Sequence, residues 1–271
     1  MTQAPWSLAG KTAVVTGGSR GIGRAIAIHL ASKGLSKLAI TYVGNLAAAK
    51  CTLDECRKNG LGMGIAIQAD ILDPNIGQCL VQQALAGLET PIVDILVNNA
   101  AYLDPTEASS VEELTLPVFQ KVMQANVFAP ISIISATMPH LPVSGGRIIN
   151  ISSGAAKVAN PGPVMTYGAS KAALDSFTRS MAAEFAKDKA ATFNTVCVGP
   201  TVTDGFHAVG KLYPEGFMEE LAKGFTAAQR VGMPQDIAFI VGFLAGEEAR
   251  WVNGACISAN GGFREVLPAL S

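Results

Sequence analysis

A tyrosine and a lysine four residues apart, in Tyr167-Gly168-Ala169-Ser170-Lys171, set a phenol and an ammonium where each can act on the other. On a helix that spacing puts both side chains on one face, one turn apart. A free phenol titrates near ~10 and exchanges protons poorly at neutral pH. A cation held beside it favours the phenolate and draws it toward the working range. The pattern gains weight from its company: Ser153 precedes Tyr167 by fourteen positions, and a glycine-rich turn opens the chain.

That turn, Thr16-Gly17-Gly18-Ser19-Arg20-Gly21-Ile22-Gly23, follows an apolar run and opens a helical one. Glycines permit positive φ and close backbone approach, and a helix N-terminus attracts a pyrophosphate. The alternative is an ordinary tight turn between strand and helix. Which dinucleotide it suits follows from the second strand, where an NAD site places an acid about 20 residues on to hold the ribose 2′-hydroxyl. Here that strand ends Ile40-Thr41-Tyr42-Val43-Gly44-Asn45, without an acid. A carboxylate would repel a 2′-phosphate, and Arg20 beside the turn offers a bidentate cation instead. NADP(H) is therefore favoured over NAD(H); the bland reading of Arg20 is a solvated surface cation.

The elements that must position these groups alternate along the chain. Strands are expected over residues 11–16, 37–42, 64–68, 94–98, 147–151, 192–198 and 255–258. Helices are expected over 21–33, 47–59, 76–87, 116–138 (kinked at Pro130), 167–187 and 234–245. Such alternation implies right-handed crossovers and an α/β fold: one Rossmann-like, doubly wound domain over residues 1–271, about seven mostly parallel strands with helices on both faces.

Composition narrows the classes. Hydrophobic residues make up 49% of the 271 and charged ones 15%, which suits a sheet covered on both sides. No apolar run approaches the ~18 residues of a membrane span, and no secretory signal is visible at the start. A net charge of −1 with scattered Lys and Arg argues against nucleic acid. Five cysteines without metal-ligand spacing point to a reducing, cytoplasmic compartment and to no metal site. The three histidines, His29, His140 and His207, have no metal-like partner in the sequence.

Together these residues resemble the short-chain dehydrogenase/reductase family, over nearly the whole chain. The likeness includes Ala69-Asp70-Ile71, Asn98-Asn99-Ala100-Ala101 (with Ala101 where the family has Gly), Gln124-Ala125-Asn126-Val127, and Val252-Asn253-Gly254 through Asn260-Gly261-Gly262-Phe263. After the sixth strand the family's Pro-Gly-x-Val-x-Thr appears as Val198-Gly199-Pro200-Thr201-Val202-Thr203, which displaces the proline. The resemblance implies catalysis by Asn126, Ser153, Tyr167 and Lys171, with Asn126 holding a water that links Lys171 to solvent. It implies coenzyme contacts at Gly17, Ser19, Arg20, Ile22, Gly23, Tyr42, Asn45, Asp70, Ile71, Asn98, Ala100, Tyr167, Lys171, Gly199, Pro200, Thr201 and Thr203. It also implies a homo-oligomer, tetramer or dimer, joined through the long helices and the last strand. The narrower likeness is to fungal ketoreductases acting on polycyclic or polyketide-like compounds.

The implied reaction is reversible reduction of a ketone by NADPH, with Tyr167 as proton donor. Alternatives remain at each point. Ser153 is otherwise a turn residue, Asn126 a group satisfying backbone at a helix irregularity, and Asp70 a helix N-cap. Residues 201–228 are expected to form a substrate lid, whose Phe206, His207, Tyr213, Phe217, Met218 and Phe225 line a bulky apolar pocket, pack the lid, or meet another subunit. Met165 is a further candidate for lining the site. Imine or activated-alkene reduction uses the same geometry, and a non-catalytic NADP(H) sensor or scaffold would keep the fold alone.

Overall fold

The computed structural model describes residues 4–107, 110–211 and 214–263. Among the described residues seven strands form one sheet in the order β3-β2-β1-β4-β5-β6-β7, every neighbouring pair parallel. They are β1 (Thr12–Val15), β2 (Lys37–Tyr42), β3 (Met63–Gln68), β4 (Ile95–Asn98), β5 (Gly146–Ser153), β6 (Ala191–Val198) and β7 (Cys256–Ala259). The helices between them are α1 (Gly21–Ser32), α2 (Leu46–Lys58), α3 (Ile76–Gly87), α4 (Leu116–Met123), α5 (Ala129–Thr137), α6 (Gly162–Lys189), α7 (Asp204–Gly210), α8 (Phe217–Phe225) and α9 (Pro234–Ala245).

Period-two alternation sends successive strand residues into two apolar layers. Ala13, Val15, Leu38, Ile40, Ile95 and Val97 pack with α1, α2 and α9. Val14, Ala39, Leu96, Ile148 and Phe193 pack with α3, α5 and α6. Both faces are covered, which is why the strands read as nearly unbroken Val/Ile/Leu runs. The order of connection reverses between β1 and β4, and the crevice above the carboxyl ends of those strands is where open α/β sheets bind ligands.

Three expectations change. The helix expected over 116–138 is interrupted by a π turn, Gln124–Phe128, rather than kinked at Pro130 itself. Pro130 has no N–H to give the carbonyl of residue 126, so the ladder skips, and Ala129 donates five residues back to Gln124. The helix carrying Tyr167 starts at Gly162, five residues early, where Pro161 and Pro163 suit its first turn. Within 201–228 two short helices, α7 and α8, stand where no pattern was visible. Tyr213 lies outside the described residues, as do the side chains of Met218 and Phe225.

Candidate active site

β5 delivers Ser153 to the carboxyl edge of the sheet. Its eight-residue ladder with β6 runs to the pair Ser153–Val198, so the strand is held to its end. Ser153 Oγ then accepts the N–H of Ala155 at 3.2 Å. The serine is thus a turn residue, and its hydroxyl also reaches that of Tyr167. One turn along α6 from Tyr167, Lys171 is buried, with Nζ 5.7 Å from the phenol ring centre. Nζ donates to the carbonyl of Ile151 at 2.9 Å, tying α6 to the strand that carries Ser153.

The electrostatics correct one expectation. Tyr167 titrates above its ordinary value, because burial penalises the phenolate; the hydrogen bond from Ser153 opposes this. Lys171 is itself pulled down from 10.5 to about 8 by burial, opposed by the Asp175 carboxylate one turn further along α6. Asp175 is buried and paired with Lys157 at 3.1 Å. Its Oδ1 has no partner among the described residues. Desolvation thus outweighs the Ser153 hydrogen bond at the phenol and the Asp175 carboxylate at the amine. The i, i+4, i+8 step 167–171–175 was the sequence signal for Asp175, and it was missed.

Asn126 satisfies backbone groups at the helix irregularity. It sits in the π turn, fully buried, and holds the Tyr102 backbone by both N (2.8 Å, to Oδ1) and O (2.9 Å, from Nδ2). Its Nδ2 also reaches Ser170 Oγ at 3.1 Å, and Ser170 in turn donates to the Tyr167 carbonyl at 2.6 Å. The side chain is therefore a junction between α6 and the loop after β4. Asn126→Ala is expected to cost on the order of 2–3 kcal/mol, since it strands buried backbone groups. Urea unfolding measures this, and an unchanged midpoint would contradict it.

The glycine turn lies across the crevice from this group. Gly17 has φ 65°. A Cβ at Gly23 would collide with the Gly17 carbonyl, so α1 approaches the turn as only glycine allows. Ile22 packs against the core cluster beneath α1, while the Ser19 carbonyl accepts from Thr52 Oγ1 at 3.3 Å. Arg20 is exposed at the N-cap and makes no capping bond. Thr16 Oγ1 accepts from the N–H groups of Asn99 and Ala100, both at 2.9 Å. Asn99 Nδ2 donates back to the Thr16 carbonyl at 2.9 Å. Asn99, not singled out from the sequence, braces the turn. Asn98 instead ends β4 in register with Asn150, whose Oδ1 its side chain bonds at 2.9 Å.

The remaining candidates stand around the same edge. Asn45 caps α2 by accepting from Ala48 at 2.9 Å, and Tyr42 packs on the core. Asp70 is exposed and closes a turn by accepting from Leu72 at 2.9 Å. It is not a helix cap, because α3 begins only at Ile76. Ile71 packs on the second apolar layer. β6 continues through Val198, after which the Gly199 N–H donates to the carbonyl of Ala259 at the end of β7, 3.1 Å away. Pro200 and Thr201 bridge to Gly232, and Thr203 Oγ1 accepts from Phe206 at 3.1 Å.

A cavity of about 20 Å³ touches Tyr167 and is lined by Leu103, Glu107, Val122 and Thr166 among others. It holds roughly one water. Among the described residues Phe206, His207 and Phe217 do not line it; Phe206 stacks edge-on with His207, ring centres 5.7 Å apart, and Met165 and Phe217 are exposed. At its rim Lys121 lies 4.5 Å over the Tyr102 ring and pairs with Glu107 at 2.5 Å. A larger cavity, about 650 Å³, lies at the other end of the sheet, near Lys11, Arg147 and Trp251, away from Tyr167. Among the described residues no cluster could hold a metal, and no helix is long and apolar enough to cross a membrane. All five cysteines are unbridged.

Comparison with known proteins agrees with this geometry. Residues 17–264 match the family model described as enoyl-(acyl carrier protein) reductase. The chain is 91% identical to the short chain dehydrogenase asqE of Emericella nidulans over the full length of both. It is 35% identical to versicolorin reductase stcU of the same species, over 95% of this chain and 97% of that one. Among solved structures, a blue fluorescent protein from a metagenomic library in complex with NADPH superposes with a TM-score of 0.83. That pair is 38% identical, covering 95% of this chain and 99% of the other.

Proposed function

Because the chain belongs to the short-chain dehydrogenase/reductase family of oxidoreductases, we propose that it reduces a ketone on a bulky, apolar, polycyclic or polyketide-like molecule with NADPH, using Tyr167 as proton donor. The observation that carries this reading is the meeting of Ser153, Tyr167 and Lys171 at the carboxyl edge of β5, facing the glycine turn at the switch of strand order.

The residues fit a phosphorylated dinucleotide. The first turn of α1 offers N–H donors with no carboxylate among them, β2 ends without an acid, and Arg20 is exposed beside the turn. When bound, the coenzyme supplies the hydride. The chain's own part is positional and electrostatic. Ser153 Oγ donates to the carbonyl oxygen and stabilises charge there as it grows. The Tyr167 hydroxyl passes its proton to that same oxygen. Lys171 is the cation that makes the departing proton affordable against the burial that holds the phenol protonated. Asn126 positions α6 through Ser170.

Substrate class and a role in secondary metabolism rest on the likeness to versicolorin reductase. The unbridged cysteines suit a cytoplasmic site. Exposed Phe119, Phe128 and Phe177 on the α4–α6 side, and Phe239 and Phe243 on α9, offer faces for a homo-oligomer, which sedimentation checks. Coenzyme oxidation with a panel of cyclic diketones and quinones tests the function. Ketone-dependent NADPH loss with a carbinol product is expected. Tight NADPH binding with no turnover across the panel would favour a sensor, and turnover confined to conjugated alkenes would favour the enoyl chemistry named in the family description.

A further inference from the structure

We propose that Asp204 is a coenzyme-specificity residue that competes with the 2′-phosphate for Arg20; this rests on the NADP(H) reading above. Arg20 Nη1 and Asp204 Oδ2 are 2.7 Å apart, joining residues 184 positions distant in the chain. One belongs to the glycine turn, the other opens α7 of the lid. The neighbouring residues approach as well: the Thr203 methyl is 3.5 Å from where a Cβ on Gly21 would stand. The lid therefore rests on the N-terminal end of α1 while the coenzyme's proposed arginine is engaged elsewhere.

Both side chains remain largely exposed, 77% for Arg20 and 72% for Asp204. Exposed pairs of this kind are weak and exchange readily. A phosphate offers a guanidinium more charge and a bidentate set of oxygens, so it displaces the carboxylate. Displacement has two consequences. Part of the phosphate's attraction is spent on breaking the ion pair, and the start of the lid is released from the turn only when the phosphorylated coenzyme binds. A coenzyme lacking the 2′-phosphate has nothing to exchange for Asp204 and leaves the pair in place.

Titrating NADPH and NADH by fluorescence against wild type, Asp204→Asn, Arg20→Gln and the double variant tests this. Asp204→Asn is expected to tighten NADPH two- to fivefold while NADH stays within 1.5-fold, the span that weak exposed pairs allow at about 25 °C. Asp204→Glu, which keeps the carboxylate, should stay near wild type. In the Arg20→Gln background the Asp204→Asn change should have no effect on NADPH. Equal tightening of both coenzymes, or an undiminished effect without Arg20, would mean a general charge effect and overturn the proposal. If Arg20→Gln leaves the NADPH-to-NADH affinity ratio unchanged, the assignment of Arg20 to the 2′-phosphate fails and takes the competition with it. A ratio that collapses at least tenfold in Arg20→Gln, with Asp204→Asn inert, sinks the competition alone.

Discussion

Tyr167→Phe is expected to lower turnover between a hundred- and ten-thousandfold, the range that a positioned proton donor contributes. NADPH affinity should change little. The substitution removes one oxygen and keeps the ring, so the packing around α6 survives. The Tyr167 main chain, which accepts from Ser170, is untouched. Burial favours the protonated phenol, which is the form a proton donor needs. Single-turnover measurements with saturating NADPH separate the two outcomes. Turnover within a few-fold of wild type would remove the phenol from the reaction. It would leave protonation to solvent, as expected for an alkene reductase rather than a ketone reductase.

Lys171→Met is expected to abolish activity to a similar extent without destabilising the fold. The reason is the direction of the lysine's shift. Its amine falls from 10.5 in the unfolded chain to about 8 in the folded one, so folding disfavours the ammonium. Between pH 8 and 10.5 the unfolded chain binds more protons than the folded one, and stability rises with pH across that window. Below about 8 the penalty is present in full, on the order of 3 kcal/mol at roughly 1.4 kcal/mol per unit. Methionine removes that penalty and fills similar space, but it orphans the Ile151 carbonyl, which returns about 1 kcal/mol or more. Unfolding at pH 7 should therefore show the variant equal to wild type or up to roughly 2 kcal/mol more stable. Its advantage should shrink as the pH rises to 10.5. A variant several degrees less stable at pH 7, with no pH-dependent difference, would show that Lys171 holds the fold together and carries no buried-charge cost.

Much of the fold was legible in the chain because it depends on neighbours. The short apolar runs placed all seven strands to within a few residues, since a strand in a sheet covered by helices carries apolar side chains whatever lies beyond it. The Tyr167–Lys171 spacing places two groups on one helical face regardless of the rest of the molecule, and that is where they lie. Gly17 and Gly23 announce a turn because the steric demand is local. What escaped depends on residues distant in sequence. Asn126 became a junction only when Tyr102, 24 positions before it, and Ser170, 44 after it, arrived beside it. Arg20 read alone is a free cation; folding brings Asp204 to it across 184 positions. Spacing told which charges share a face, but the direction of each titration depends on how much water the assembled protein leaves around them. Near Tyr167 and Lys171 that exclusion outweighs the attraction between neighbours.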